Sequence, residues 1–427
     1  MDVRLVWKSY YGNEPLTLQL PDEWDAQVSG MPPRQPLSDA AIADRIAQAP
    51  VRSGRLRDLA RGKRRVVIAV DDLTRPTEAH RLAPPVLSEL AAAGVEARHI
   101  VFLVAMGTHR PYTLPDLRKK LGEEIVQTYA VSNHSCYQHH RLIGRTCRGT
   151  PVQINQTYLD ADLKIGIGTV MPHPIAGFSG GGKLVTIGLG GIDTVEGLHR
   201  PALTSLQGTI GRVEGNPVRE EIEEGLRLAG LDFLVNTVQT STGATAEVFA
   251  GEPAAAYADA VRAAQQAYAC DVRYQNDVGI FNTFPRDTWM LMSFTSLNVW
   301  STRSPEKAVV RPGGSIVIVN AASEGVGEHG LMTKGMRQYR LRDQHGTFKD
   351  MLRDRELVFL SPNITRAMIR DYYQCEVQLV RDGDALVRSL RRRHPGRARV
   401  SVFPHGPLQM DGSCLTPAPA VSSVARG

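Results

Sequence analysis

Short runs of apolar, mostly β-branched residues, each ending in a polar loop, constrain the fold more than any other feature. The first run is Arg65–Val70, and His99–Ala105 follows after a helical stretch that Gly94 ends. Strands that are apolar on both sides are typical of parallel sheets covered by helices. Since a helix joins the two runs, we expect a β-loop-α-β unit with parallel strands.

The same pattern returns along the rest of the chain. Leu163–Gly168 is a third run in the first part, and an Ala-rich helix is predicted at 253–269. Three further buried-strand candidates follow that helix, namely Val278–Phe281, Ser315–Val319 and Leu357–Leu360. Strands that alternate with helices predict an α/β fold with mainly parallel sheets.

The length supports two domains. At roughly 100–200 residues per domain, 427 residues most simply form two. We predict an N-terminal α/β domain at 1–270, a C-terminal α/β domain at 271–412 that closes a cleft, and a flexible tail at 413–427. The first 25 residues alternate apolar and polar positions around Gly12 and Asn13, which predicts a β-hairpin.

Composition excludes several classes of protein. The chain is 42% hydrophobic and 22% charged, which is typical of a globular protein and not of a disordered one. No window of about 18 uncharged apolar residues exists, so we expect no membrane span. The five cysteines have no CxxC spacing, and the first residues lack a signal-peptide pattern. We therefore expect a cytoplasmic protein.

Most of the net charge of +6 comes from one segment. Residues 381–400 contain seven arginines and two aspartates, so the rest of the chain is close to neutral. A local basic patch is most often a solvated surface, so we expect no nucleic-acid partner. The role of the arginines at 388–399 stays open.

Polar loops follow three of the predicted strands in the first domain. They carry Asp71, Asp72 and Arg75, then His109, then His173. In open parallel sheets, ligands bind beyond the carboxyl ends of the strands. We therefore expect these loops to meet at one edge of the sheet and to form a binding site.

The third of these loops is rich in glycine. Gly177–Lys183 reads GFSGGGK, which matches the start of a P-loop. A P-loop continues with Ser or Thr as a magnesium ligand, whereas Leu184 follows here. The sequence therefore does not favour a nucleotide triphosphatase. Either the backbone amides of this loop bind a phosphate or another anion, or the loop is a plain tight turn.

Three histidines lie in or near these loops. Pro174 restricts the backbone of His173 to extended conformations, and His109 follows Gly107 and Thr108 in the loop after a strand. Imidazole titrates near neutral pH, so a pair of histidines at one sheet edge favours acid–base chemistry. His199, in contrast, is unremarkable on its own. No HExxH or HxxxH spacing is present, so spacing alone does not predict a metal site.

Four motifs in order resemble the lactate racemase (LarA) family of nickel-pincer-nucleotide enzymes. They read DDLTRPT, GTHRP, HPIAGFSGGGKL and GLHR, and weaker matches continue through GNPVREEI, AGEP, FPRD and ASEGVGEHG. The resemblance covers nearly the whole chain. It implies two α/β domains with an active site between them.

The resemblance also implies a cofactor. This is a Ni(II) pyridinium-3,5-bisthiocarboxylic acid mononucleotide, the nickel-pincer nucleotide, which is attached covalently to the lysine at position 183. His199 would be the protein's nickel ligand. Separate cofactor-synthesis proteins would load the group. The loop Ser179–Gly182 would help to bind it.

Further residues receive roles from the same resemblance. His109 and His173 would be the two general acid/base groups, and Asp72 and Arg75 would contact cofactor and substrate. A 2-hydroxy acid is racemised by removing the hydroxyl proton and the hydride of the same carbon, and then returning the hydride to the opposite face. Since the two enantiomers present their hydroxyl groups on opposite sides, two bases are needed.

One departure concerns the substrate. In lactate racemases a Tyr-Gln pair and a lysine follow the FPRD-like loop and help to bind the substrate carboxylate and the cofactor. The matching positions here are Leu291, Met292 and Thr295, and Trp289 adds bulk. Either Arg75 or another cation holds the carboxylate, or the substrate is not a small monocarboxylate. The alternative is that this segment is simply core packing.

We therefore predict a racemase or epimerase, an isomerase, that acts on a 2-hydroxy acid other than lactate. One alternative is an epimerase of a sugar or sugar acid with the same chemistry. The other is a non-redox protein that binds a nucleotide or phosphate through the glycine loop. The sequence leaves the oligomeric state open.

Overall fold

The computed structural model describes residues 1–48, 50–204, 210–300, 304–338, 351–373 and 375–414. The tail predicted at 413–427 falls largely outside these ranges. Its first two residues, with Gly412, form a 3-10 turn. No helix in the described part of the chain is both long and apolar enough to cross a membrane.

Strands and helices alternate along the chain. The strands are β1 (Asp2–Trp7), β2 (Glu14–Gln19), β3 (Asp25–Val28), β4 (Val66–Asp71), β5 (Ile100–Ala105), β6 (Ala130–Asn133), β7 (His140–Arg145), β8 (Pro151–Asn155), β9 (Leu163–Thr169), β10 (Pro172–His173), β11 (Gly177–Phe178), β12 (Phe233–Gln239), β13 (Thr245–Gly251), β14 (Ala269–Cys270), β15 (Asn276–Asn282), β16 (Val310–Val319), β17 (Glu356–Leu360), β18 (Gln378–Val380), β19 (Arg399–Phe403) and β20 (Met410–Asp411).

The α-helices are α1 (Asp39–Ala47), α2 (Leu56–Leu59), α3 (Ala79–Ala92), α4 (Leu114–Leu121), α5 (Glu123–Thr128), α6 (Gln156–Leu159), α7 (Lys183–Thr186), α8 (Ile192–Thr204), α9 (Pro217–Ala229), α10 (Pro253–Tyr268), α11 (Arg366–Tyr373) and α12 (Gly383–Arg393). Short 3-10 segments lie at Ala97–His99, Met290–Leu297 and Pro305–Lys307.

The first sheet has six strands in the order β13-β12-β9-β4-β5-β6. Its strands pair in parallel except for the antiparallel edge pair of β12 and β13. All six residues of β4 are buried, because helices cover one face and β8, α6 and α7 cover the other. The predicted parallel pairing of the first two runs is confirmed.

The second sheet also has six strands, in the order β18-β17-β16-β15-β19-β3, and all of its pairs are parallel. Apolar clusters cover both of its faces. The prediction of an α/β fold with mainly parallel sheets is therefore confirmed.

The first thirty residues belong with the second sheet. The predicted β1–β2 hairpin forms, but its apolar side chains pack on β15 and β16, and β3 pairs with β19. The division at residue 270 places these residues with the first sheet, whereas their contacts are with the second. Period-2 alternation predicts a half-buried strand but not the sheet that it covers. The remaining domain limits stay a prediction.

Asp287 fastens this hairpin to the loop after β15. Its carboxylate accepts hydrogen bonds from the backbone amides of Lys8 and Ser9, at 2.6 and 3.0 Å. Burial raises the pKa of Asp287 to about 6. The turn of the hairpin thus helps to fix the loop that carries Arg286.

Helix α9 begins and ends where the sequence signals indicate. The side chain of Asn216 accepts from the amides of Val218 and Arg219, Pro217 is the first helical residue, and Gly230 ends the helix at a φ of 74°. This helix packs beside α7 and α8 and so supports the loop that carries Lys183.

Two glycines with the same backbone conformation allow a test of packing in the region before Lys183. Gly177 has a φ of +75°, and a Cβ there would lie 2.0 Å from the carbonyl oxygen of Arg212. Gly62 has a φ of +74° with nothing within 4 Å. We expect Gly62→Ala to cost about 1–2 kcal/mol, the cost of a left-handed conformation alone. Gly177→Ala should lower the thermal unfolding midpoint further, since the backbone must move. Equal losses in the two variants would contradict this packing.

Candidate active site

A pocket opens where the loops after β4, β5 and β9 meet the loops of the second sheet. Its walls include Asp72, Arg75, His109, His173, Ser179, Gly180, Lys183, His199, Arg286, Leu291, Met292, Phe294, Thr295, His329 and Tyr372. The three polar loops of the first sheet therefore do converge at the carboxyl ends of its strands. One cavity is lined by most of the residues that the sequence selected from these loops, with Gly181 and Gly182 as the exceptions.

Asp72 and His109 form a hydrogen-bonded pair on one side of the pocket. The Asp72 carboxylate contacts His109 Nδ1, and its other oxygen accepts from the amide of Thr74 at 3.0 Å. Burial acts to raise the pKa of Asp72, but the neighbouring His109 and Arg75 outweigh it and hold that pKa well below its usual value. An ionised Asp72 keeps the proton of neutral His109 on Nδ1, so Nε2 is left with a lone pair.

His173 has the opposite arrangement. Its Nδ1 accepts hydrogen bonds from the amides of Ile175 and Ala176, at 3.3 and 3.1 Å. The neutral ring therefore carries its proton on Nε2. Burial, and then the charges of Lys183 and Arg75, lower the pKa of His173 well below its usual value. His173 lies in the short extended strand β10, as the proline on either side of it predicts.

Lys183 lies at the first position of α7, where the glycine loop ends. Burial lowers the pKa of its amine well below the usual value, and Arg75, Arg219 and Arg286 lower it further. A lowered pKa favours the neutral form of an amine, which is its nucleophilic form.

His199 lies on helix α8 with its ring directed by its own helix. Its Nδ1 donates to the carbonyl oxygen of Val195 at 2.7 Å, which leaves Nε2 as the free acceptor. Burial lowers the pKa of His199 to about 4. The ring is therefore neutral near pH 7, the state in which imidazole binds a metal ion. The described residues contain no group of three or more His, Cys, Asp or Glu side chains that could hold a metal ion.

The glycine loop divides between the pocket and the protein interior. Ser179 and Gly180 line the pocket, while Gly181 and Gly182 do not. A Cβ at Gly181 would lie 2.7 Å from the Tyr257 ring, and one at Gly182 would lie 2.8 Å from the Glu223 carboxylate. These two glycines therefore make room for neighbouring side chains. The contact of their backbone with a cofactor stays a prediction.

The second sheet supplies the opposite wall. Four residues of the 3-10 segment Met290–Leu297 line the pocket, namely Leu291, Met292, Phe294 and Thr295. Trp289, predicted to contact substrate, lies behind His109 instead, with ring centroids 5.3 Å apart, because its Nε1 donates to Glu324 at 2.8 Å. Trp289 thus supports a catalytic candidate from behind.

Sequence reasoning missed two polar residues of this wall. His329 contacts the rings of both His109 and His199, with centroids 5.4 and 6.2 Å apart, and its Nδ1 accepts from the amide of Leu331 at 3.2 Å. Arg286 is the other. The sequence did carry a signal for each residue. His329 lies in the weaker motif ASEGVGEHG and Arg286 lies in FPRD, but neither motif distinguishes these residues from their neighbours.

Comparisons with known proteins agree with this geometry. Residues 11–211 match the family described as Lactate racemase N-terminal domain. The chain is 30% identical over 303 residues to the lactate racemase of Lactiplantibacillus plantarum, covering 69% of each chain. It is 27% identical over 336 residues to the lactate racemase of Thermoanaerobacterium thermosaccharolyticum, covering 75% of each.

Two solved structures share the fold. The lactate racemase apoprotein from Thermoanaerobacterium thermosaccharolyticum gives a TM-score of 0.74 at 23% identity, over 96% of this chain and 99% of that one. A protein from Thermotoga maritima gives a TM-score of 0.66 at 17% identity, over 89% of this chain and 99% of that one. At these identities the structural likeness shows the fold alone.

The burial of His199 predicts a pH-dependent stability. Its folded pKa of about 4 lies below its ordinary value of 6.5, so protonation favours the unfolded chain as the pH falls. Between pH 7.5 and pH 5 the apoprotein should lose about 2 kcal/mol through this residue. The variant His199→Asn keeps a donor but cannot titrate, so its thermal midpoint should fall less steeply with pH. If the thermal midpoints of the two proteins fell equally with pH, His199 would not be the source of the pH dependence.

Proposed function

The chain belongs to the lactate racemase family, and on this premise we propose that it inverts a hydroxyl-bearing carbon of a 2-hydroxy acid other than lactate. Its named relatives are racemases, so it is an isomerase. The observation that carries the proposal is the placing of two histidines, His109 and His173, with Lys183 and His199 around one pocket.

His109 is the better placed base for removing the hydroxyl proton. Asp72 fixes its tautomer, so Nε2 presents a lone pair to the pocket. Once that nitrogen takes up a proton, the ionised carboxylate stabilises the imidazolium. Trp289 and His329 pack edge-on against the ring and limit its rotation. These contacts support His109 as the general base for one enantiomer.

His173 is suited to give a proton. A ring whose pKa is lowered by burial gives up its proton readily once it is protonated. The form of His173 that donates is the imidazolium, which carries a proton on both ring nitrogens, so the amides of Ile175 and Ala176 must move away from Nδ1 whenever the ring is protonated. We assign proton donation to His173 in one direction and proton removal in the other, with His109 taking the opposite role each time.

The residues fit the cofactor that the family resemblance implies. The lowered pKa of Lys183 suits covalent attachment, and the free Nε2 of His199 suits a nickel ligand. Ser179 and Gly180 would lie beside the group. When bound, the nickel-pincer nucleotide supplies a hydride acceptor, which amino-acid side chains lack.

The charge of the pocket supports an acidic substrate. Arg75 and Arg286 line it, while Asp71 is already paired with Lys120 at 2.7 Å. Asp72 is then the remaining carboxylate among the residues described there. A 2-hydroxy acid would balance this excess, whereas a neutral sugar would not. A protein that only bound a phosphate through the glycine loop would need neither of the two histidines.

A labelled substrate tests the proposal directly. The protein should be produced together with the cofactor-synthesis proteins, and intact mass spectrometry should show a mononucleotide-sized increase that Lys183→Ala lacks. With 2-hydroxy acids deuterated at Cα, we expect inversion with the deuterium retained, because the hydrogen leaves and returns as hydride. Loss of the label to water would indicate carbanion chemistry. Loaded protein that inverts no member of a hydroxy-acid panel would contradict the proposed substrate class.

The two histidines make a second prediction. His109→Ala and His173→Ala should each slow inversion by about 100-fold or more, the usual worth of a positioned acid or base. His99→Ala is the matched control, since His99 precedes the amino end of β5, the strand whose carboxyl end leads to His109. Thermal midpoints near that of the wild type would show that the variants fold. Near wild-type inversion by either site variant would refute the acid–base pair.

A further inference from the structure

We propose that Arg286 binds the carboxylate of the substrate, an inference that rests on the proposed function and defines its specificity. The family resemblance gives this role to a lysine at the position of Thr295. In this chain the Thr295 hydroxyl donates to the carbonyl of Met292 at 2.6 Å and brings no positive charge. A cation from elsewhere must take over the role if the substrate is an acid.

Arg286 is a buried cation that contacts no carboxylate of the described residues directly, although the charge of Asp72 acts on it from a distance. Its residue is 4% exposed, and it forms no ion pair with any acidic side chain in the part of the chain that the structure describes. Its guanidinium contacts two neutral groups, the carbonyl of Thr74 at 2.8 Å and the sulfur of Met292 at 2.9 Å. Burying an unpaired charge is costly, so such a group favours an anionic ligand.

The position of Arg286 suits a substrate. It lies in the loop after β15 and reaches across to Thr74, the neighbour of Arg75 in the loop after β4. The guanidinium therefore joins the loops of the two sheets at the pocket. Burial, and then the charges of Lys183, Arg75 and Arg286, lower the pKa of His173, which indicates that Arg286 lies near the proposed acid–base pair.

Arg75 is less suited to the same role. Its Nη1 lies 3.9 Å from the Asp72 carboxylate and also donates a hydrogen bond to the Thr74 hydroxyl. Part of its charge is thus balanced within the protein. Arg286 has no such partner among the described residues, and its planar fork can hold both oxygens of a carboxylate. Leu291, Met292 and Phe294 line the same wall, which suits an apolar side chain on the acid.

The test uses cofactor-loaded protein and three variants. Arg286→Met removes the charge and keeps the length, Arg286→Lys keeps the charge without the fork, and Arg311→Met is the control. Arg311 pairs with Asp277 at the amino end of the second sheet, away from the pocket. The probes are lactate, 2-hydroxyisocaproate and 3-phenyllactate, and the amide of each. Kinetics would give kcat and KM. Calorimetry with racemic acid would give Kd, because turnover of a racemate releases no net heat.

We expect Arg286→Met to raise KM and Kd for the preferred acid by about 30-fold or more, with Arg286→Lys between it and the wild type. The amide should bind equally to wild type and to Arg286→Met, since it offers no charge. Adding Thr295→Lys to Arg286→Met should recover part of the affinity. Arg311→Met should match the wild type throughout.

Two results would overturn the inference. The first is an unchanged Kd for the acid in folded Arg286→Met. The second is a loss of the Lys183 adduct in that variant, since Arg286 would then bind the cofactor phosphate. If the wild type inverted none of the acids, the proposed function would fail. Calorimetry of acid against amide would still decide whether Arg286 holds a carboxylate.

Discussion

The buried ion pair of Lys120 and Asp71 is the interaction on which the pocket depends. Lys120 on α4 is fully buried, lies 2.7 Å from the Asp71 carboxylate, and donates to the carbonyl oxygens of Asp72 and Arg75 at 3.1 and 3.3 Å. The other oxygen of Asp71 accepts from the amide of Thr169 at 3.0 Å. One pair thus joins the ends of β4 and β9 and holds the loop that follows β4. Removing one partner of such a pair typically costs 3–5 kcal/mol.

Arg219 does the same for the glycine loop. It is fully buried on α9, donates to the carbonyls of Ala176 and Phe178, and pairs with Glu223 at 2.9 Å. Its guanidinium also lies 4.6 Å from the centre of the Tyr257 ring. Lys120 and Arg219 therefore both donate their hydrogen bonds to backbone carbonyls and pair with an acidic side chain. This explains how the protein can bury several cations near one pocket and leave only some of them for a ligand.

The sequence predicted the local features well and their tertiary surroundings less well. Strand β4, the cap of α9 and the loops with His109 and His173 follow from residue type and order. Whether Gly181 faces a ligand or the Tyr257 ring depends on what fills the space beside it, which sequence spacing cannot express. The same holds for His329, which reaches the pocket from a loop of the other sheet.

Under the proposed function, the two walls of the pocket have different tasks, and this separation would explain the departure from the family pattern. The first sheet carries the residues that match the family motifs and to which we assign the chemistry, namely Asp72, His109, His173, Lys183 and His199. The second sheet carries Arg286, which lies in the weaker FPRD match, and then Met292 and Thr295, where the chain departs from the family pattern. A cation can move from a 3-10 segment to a neighbouring loop without disturbing the acid–base pair, because the two sets lie on different sheets. Substrate range can therefore change on one wall while the reaction is kept on the other.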